Sequence, residues 1–456
     1  MNTTAVVRIY CTSQSPDYDA PWQARVPSSS TGSGVVVASG QVLTGAHVVA
    51  ISTFLQVQQV EDSTRYTARL IGVCHDADLA LLEINDPKFA QGVEAAQFRG
   101  LPELRQRVSV VGFPVGGQEV SITEGIVSRI ELQLYSHSWR EMLAITVDAA
   151  INSGNSGGPV FADDKVIGLA FQSHQNAENV GEIVPTVLIE RFLRGVEEGR
   201  CLDVPDLSIH VQTLENPTLR RSLGMKDEHT GVCVRRVEFG GSADGVLQSG
   251  DVLLEIADHQ IANNGTVRLH GFRTSYHTLL GERFVGDELP VRVWRDGAEL
   301  STTITLRART ALAERHRHDV RPRYVLYAGI VFQPLSRDFL ATWQKWWDKA
   351  PPEFLHAYHN GVRTEETHER VVVSRVLADE LTVGYTGNDN ELVDSVNGVR
   401  IRSLAHLAEC IDAAEGQILI CTSWKAQLVF DTAEVAAREN DILARYRITA
   451  ARSDVL

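Results

Sequence analysis

Positive charge is in short supply in this sequence: 43 lysines and arginines face 58 aspartates and glutamates, leaving a formal charge of −15. That balance argues against a surface built to hold nucleic acid or anionic lipid, because both need concentrated Lys and Arg. Long apolar runs are missing too. No stretch approaches the ~18 unbroken apolar residues of a membrane-crossing helix, so no membrane span is expected. Cysteine is sparse and scattered: Cys11, Cys74, Cys201, Cys233, Cys410 and Cys421 form neither a C-x-x-C pair nor the Cys/His spacing of a zinc site. They are expected to be reduced and mostly buried, with no metal implied. Residues 1–10, MNTTAVVRIY, lack the basic start and apolar core of a signal peptide, which points to a cytoplasmic or nuclear address for the chain as written.

What the chain has is length and β-pattern. Its 456 residues suffice for about three domains of ~150 residues, and 43% apolar content is ample for their cores. From Ala5 to Phe171 short β-runs alternate with Gly, Asp and Ser turns, among them AVVRIYC, SGVVVAS, TFLQVQQV, RVSVVGF and KVIGLAF. Little helix separates them, which indicates barrels or sandwiches, here two groups of about six strands. Alternation fails between Asp86 and Leu104, where the two barrels join. A helix over Pro185–Gly199 follows from the spacing of Val187, Leu188, Ile189, Phe192, Leu193 and Val196. Beyond it, DVLLEIADHQI at 251–261 aligns with ELVDSVNGVRI at 391–401, so one supersecondary plan occurs twice. These segments place two related small domains at roughly 205–310 and 322–432, the second followed by a tail to 456. The Arg-rich stretch ARTALAERHRHDVRPR between them reads as a solvated linker.

The chemistry concentrates in Gly154-Asn155-Ser156-Gly157-Gly158-Pro159. A serine nucleophile needs an exposed Oγ on a tight turn with backbone N–H groups free for an oxyanion, and flanking glycines supply that freedom. The segment also satisfies G-x-S-x-G, the elbow of α/β-hydrolases, which requires a helix straight after the serine. Here VFADDKVIGLAF follows and reads as a hairpin turning at Asp163-Asp164, so the elbow reading fails. A chymotrypsin-like site instead requires His, Asp and Ser in that order, the first two in the first barrel. His47 in LTGAHVV and Asp78 in CHDADLALL meet both conditions. Asp76 is the competing carboxylate; it and His75 are expected to be solvent-facing loop residues.

TGAHVV, DADLALL and DAAINSGNSGGPV resemble the three catalytic segments of the Deg/HtrA family of ATP-independent serine proteases. LENPTLRRSLGM and GERFVGDELPVRVWRDG are most similar to its plant-type branch with two PDZ modules. The resemblance implies a mainly β chain: a chymotrypsin-like double β-barrel protease domain (1–204) followed by two PDZ-like α+β domains (205–310 and 322–456). It implies a triad of His47, Asp78 and Ser156, an oxyanion hole from the N–H groups of Gly154 and Ser156, and no cofactor. Ala150, six residues before the nucleophile, falls at the base of the specificity pocket, with Phe171 and Ser173 as its wall; no carboxylate there attracts Lys or Arg. Tyr327, Ala328, Gly329 and Ile330 are similar to a PDZ carboxylate-binding loop, and Leu207-Ser208-Ile209 is the weaker counterpart in the first module. Expected partners are unfolded or C-terminally tagged proteins and further copies of the chain. A holding protein whose protease site is rarely formed is the rival reading.

Overall fold

Twelve strands bury their apolar residues by closing into two barrels, alternately along Val6–Ser13 and without a break along residues 79–82. The computed structural model describes residues 3–60, 62–91, 93–114, 119–152, 154–173 and 180–456. Strands β1 (Val6–Ser13), β2 (Ser28–Ala38), β3 (Gln41–Thr44), β4 (Ser52–Gln59), β5 (Tyr66–Cys74) and β6 (Leu79–Glu83) form a closed barrel in the order β1-β2-β3-β6-β5-β4. A second closed barrel comprises β7 (Arg107–Gly112), β8 (Ser121–Tyr135), β9 (Arg140–Val147), β10 (Pro159–Ala162), β11 (Lys165–Ser173) and β12 (Gly181–Pro185), ordered β10-β11-β12-β9-β8-β7. Closure leaves no sheet edge to pair with other chains. The β10–β11 hairpin turns at Asp163 and Asp164, whose φ values of +48° and +66° suit a two-residue turn. One short helix, α1 (Ala46–Val49), follows β3, and α2 (Thr186–Glu197) follows β12, ending before Gly199 at φ +63°.

The barrels belong to one compact unit, 1–13 with 27–309, which also holds a sheet ordered 209–213, 232–237, 252–256, 288–295, 298–305. A second unit comprises 14–26 and 310–456, with a sheet running 325–327, 330–334, 371–376, 391–396, 417–422, 427–431. The internal repeat is visible in both sheets. Glu255 pairs with Gln260 in one hairpin and Ser395 with Arg400 in the other, and the closing Ile261 and Ile401 are both buried.

Two expectations about the second unit are corrected. The Arg-rich stretch is no solvated linker: Ala313 is buried, the Arg317 N–H donates to Asp338 Oδ2 at 2.8 Å, His316 pairs with Asp338, and Arg323 pairs with Glu369 at 2.5 Å. Its charges are neutralised locally, which lets the segment pack. Residues 14–26, counted by sequence with the first barrel, pack here as well, with Tyr18 Oη donating to Asp338 Oδ2 at 3.2 Å and Trp22 edge-on to Tyr324.

The presumed carboxylate-binding loop is also corrected. Tyr327 pairs with Ile330 across a two-residue turn at Ala328 (φ +52°) and Gly329 (φ +85°). Strand 330–334 has both edges taken, by 325–327 and 371–376, and the Leu377 N–H donates to Gly329 O at 2.8 Å. Strand addition requires a free edge, and this strand offers none. In the first sheet, by contrast, 209–213 is the edge strand.

Candidate active site

The sequence Thr44-Gly45-Ala46-His47 ends β3 and starts α1, so His47 leaves the barrel rim where the strand stops. Asp78 sits just before β6, its side chain only 1% exposed. Asp78 Oδ2 lies 2.6 Å from His47 Nδ1, and Asp78 Oδ1 accepts the His47 backbone N–H at 2.8 Å. A carboxylate only accepts, so Nδ1 carries the hydrogen and the neutral ring keeps its lone pair on Nε2. Two bonds from one carboxylate thus fix the ring, its tautomer and its backbone.

The electrostatics follow from that contact. Burial disfavours the His47 imidazolium, yet the Asp78 charge and hydrogen bond outweigh it and raise the His47 pKa above its ordinary 6.5. Burial likewise opposes ionisation of Asp78; the His47 partner, with a smaller contribution from His137, holds its carboxyl below the usual carboxylate range.

Ser156 lies in the turn before β10. Gly154 at φ +101° and Gly157 at φ +79° take backbone conformations that suit glycine. A Cβ on Gly157 would lie 2.9 Å from Gly45 N and closer still to Thr44 Oγ1 and Ser33 O. The serine turn therefore rests on the strand end that delivers His47. Buried Ser33 on β2 binds the two together: its Oγ donates to Gly154 O at 2.7 Å and accepts the Phe113 N–H at 2.8 Å. Its backbone N–H donates to Ser156 O at 2.9 Å, and its carbonyl accepts from Thr44 Oγ1 at 2.7 Å. Sequence reasoning missed Ser33 and Thr44. The available signal was a hydroxyl at the head of the apolar run Gly34-Val35-Val36.

The remaining candidates divide. Ala150 joins the second barrel through its carbonyl, which accepts from Thr123 Oγ1 at 2.9 Å. Phe171 is buried and its ring lies against that of Tyr135, centroids 4.3 Å apart. The side chain of Ser173 lies outside the described residues. Asp76 and His75 are corrected. Asp76 is ion-paired with Arg140 at 3.0 Å, and His75 Nδ1 lies 3.0 Å from His137 Nε2. Among the described residues no disulfide forms; Cys11 and Cys74 are buried and Cys201 is exposed.

Two closed antiparallel barrels, one carrying a histidine held by a buried aspartate and the other a glycine-bounded serine, define a trypsin-like serine peptidase. Residues 32–169 match the trypsin-like peptidase domain family, and residues 313–455 match the PDZ domain family. The chain is similar to Protease Do-like 2, chloroplastic, of Arabidopsis thaliana, at 37% identity over 91% of this chain and 69% of that protein. Its similarity to Protease Do-like 4, mitochondrial, of the same plant is 34% over 90% and 76%. Among solved structures, the HtrA-type protease AlgW with a tripeptide superposes with a TM-score of 0.52 at 27% identity, over 67% of this chain and 95% of that one. The AlgW complex with a decapeptide gives 0.52 at 25%, over 67% and 96%. This chain belongs to the Deg/HtrA family of serine endopeptidases and falls with its plant-type members.

The relatives overturn the cytoplasmic or nuclear address, because their names are chloroplastic or mitochondrial and point to an organelle. An address is read by receptors and leaves no mark on barrel packing, so the folded domains could not supply it. Among the described residues no helix is long and apolar enough to cross a membrane.

Proposed function

We propose that Ser156 is the nucleophile of this endopeptidase, His47 its general base and Asp78 the residue that orients His47, with the N–H groups of Gly154 and Ser156 as the oxyanion hole. The observation that carries this reading is the pair of bonds from Asp78 to the ring and backbone of His47. Ser156 Oγ attacks the scissile carbonyl carbon while His47 Nε2 takes its proton; the tetrahedral oxyanion is held by the two N–H groups. His47 then protonates the leaving amine, the C–N bond breaks, and water hydrolyses the acyl-enzyme by the same route. The raised His47 pKa favours the imidazolium that forms during attack.

The substrates in this reading are unfolded or C-terminally tagged polypeptides, as in protein quality control, cut after small aliphatic residues because Ala150 places no charge in the pocket. Residues 1–13 with 27–204 form the protease domain, 205–309 a first PDZ domain and 14–26 with 310–456 a divergent second one, and the chain works as a homo-oligomer. The edge strand 209–213 supports peptide capture by the first module. The test is fluorophosphonate labelling and casein cleavage by the full chain beside Ser156→Ala. Labelling and cleavage lost together in the variant support the reading; labelling that persists overturns it.

A further inference from the structure

A single buried guanidinium joins three separate pieces of the first unit. Arg140 opens β9 directly after the turn of the β8–β9 hairpin, where it pairs with Tyr135, and its side chain is 9% exposed. Its Nη1 donates to Asp76 Oδ2 at 3.0 Å and to Val204 O at 2.7 Å. Its Nη2 donates to Pro205 O at 3.1 Å and to Asp206 Oδ2 at 3.2 Å. Asp76 Oδ2 also accepts the Val204 N–H at 3.0 Å, and Asp76 O accepts from Ser138 Oγ in the hairpin turn at 2.9 Å. The segment 204–206 is the path from the second barrel into the following sheet, while Asp76 lies two residues before Asp78.

Asp78 holds a left-handed φ of +54°, a conformation that aspartate tolerates in turns. The turn carrying it closes on itself through the Asp78 N–H to His75 O, a long 3.3 Å bond. From outside, His137 contacts His75 in this turn and His47 contacts Asp78, while Asp76 takes bonds from Arg140, Val204 and Ser138. We infer that Arg140 and Asp76 are positioning residues for the Asp78–His47 pair, coupling the placement of residues 204–206 to the geometry of catalysis. The inference rests on the proposed roles of Asp78, His47 and Ser156. It also assigns Asp76 a task that its position in a polar loop did not suggest. Lysine cannot replace Arg140 in it: four acceptors on two segments need a planar fork, and an ammonium is a point donor on a flexible stem.

The test uses the full chain with Arg140→Lys, Asp76→Asn and the double variant, measured on a short peptide substrate and by fluorophosphonate labelling rate, with Ser156→Ala as control. Each single change is expected to lower kcat and the labelling rate about 10- to 100-fold while KM stays within about twofold. The double variant should be no worse than the poorer single, since both break one network. A merely structural role would lower Tm and leave turnover intact. If kcat and the labelling rate stay within about twofold of the parent well below each variant's own Tm, the inference is wrong. Should Arg140→Lys fail to fold, Asp76→Asn and Ser138→Ala decide by the same criterion. If Ser156→Ala still labels, the failure lies instead with the nucleophile assignment.

Discussion

Ser33 Oγ donates a 2.7 Å hydrogen bond to Gly154 O, so a strand of the first barrel grips the serine turn of the second. The same hydroxyl accepts the Phe113 N–H, and nothing about it faces solvent. Active-site geometry here depends on how one barrel seats on the other.

Ser33→Ala should therefore expose the cost of that seating. It leaves a buried carbonyl and a buried N–H short of a partner, a loss of about 1–3 kcal/mol for such groups. Expected outcomes are a Tm lower by several degrees and a fluorophosphonate labelling rate reduced at least about tenfold. A variant that labels at the parental rate would show that Gly154 keeps its place without Ser33.

Asp78→Asn should lower kcat by about 10⁴-fold, because an amide in that position permits the wrong His47 tautomer. The pH dependence carries a second signature. His47 must be neutral to accept a proton and its pKa is raised, so kcat/KM in the parent should fall as pH drops through a value above 6.5. Stability moves with the pair as well. The depressed Asp78 pKa contributes stability above the unfolded value near 3.8, lost as pH falls through the folded pKa. The raised His47 pKa contributes stability below about 6.5, lost as pH rises through its folded value. The Tm difference between parent and Asp78→Asn should thus be largest between about pH 4 and 6.5; a difference flat across pH 3–9 would contradict the coupling.

Gly157→Ala tests the contact between the serine turn and the strand end before His47. A methyl there meets Thr44, Ser33 and Gly45 at a positive φ, so both strain and overlap oppose it. We expect destabilisation of about 2 kcal/mol or more, with labelling abolished. Equal losses at Gly199→Ala, where open space surrounds the Cβ, would remove the specificity of the argument.

Cleavage of a denatured protein, mapped by mass spectrometry, should follow Val, Ala, Ile, Leu or Thr, given Ala150 six residues before Ser156. A majority of cuts after Lys or Arg would refute a pocket without a carboxylate.

Much of this molecule is written in local pattern. Period-two burial on β1, where Val7, Ile9 and Cys11 pack inward and Arg8 and Tyr10 are only half-buried, needs only alternation to be read, and the turn at Asp163-Asp164 announces itself by its residue types. The same holds for His47, Asp78 and Ser156, whose segments carry their chemistry in adjacent residues. The repeat at 251–261 and 391–401 is legible because both copies close the same hairpin.

What failed was every judgement that turned on which face of a loop meets another part of the chain. Tyr327–Ile330 was read as a carboxylate-binding loop and is a two-residue turn between paired strands. Asp76 was read as solvent-facing and is held by Arg140, 64 residues away in sequence. The sequence by itself determined the strands, the segments that carry His47, Asp78 and Ser156 and the glycine freedom around Ser156, because each is set by neighbours a few residues apart. Only the tertiary structure decided what restrains them: Ser33 under Gly154, Thr44 under Ser33 and Arg140 across Asp76 are contacts between distant segments, and which ones form depends on how the two barrels close and meet.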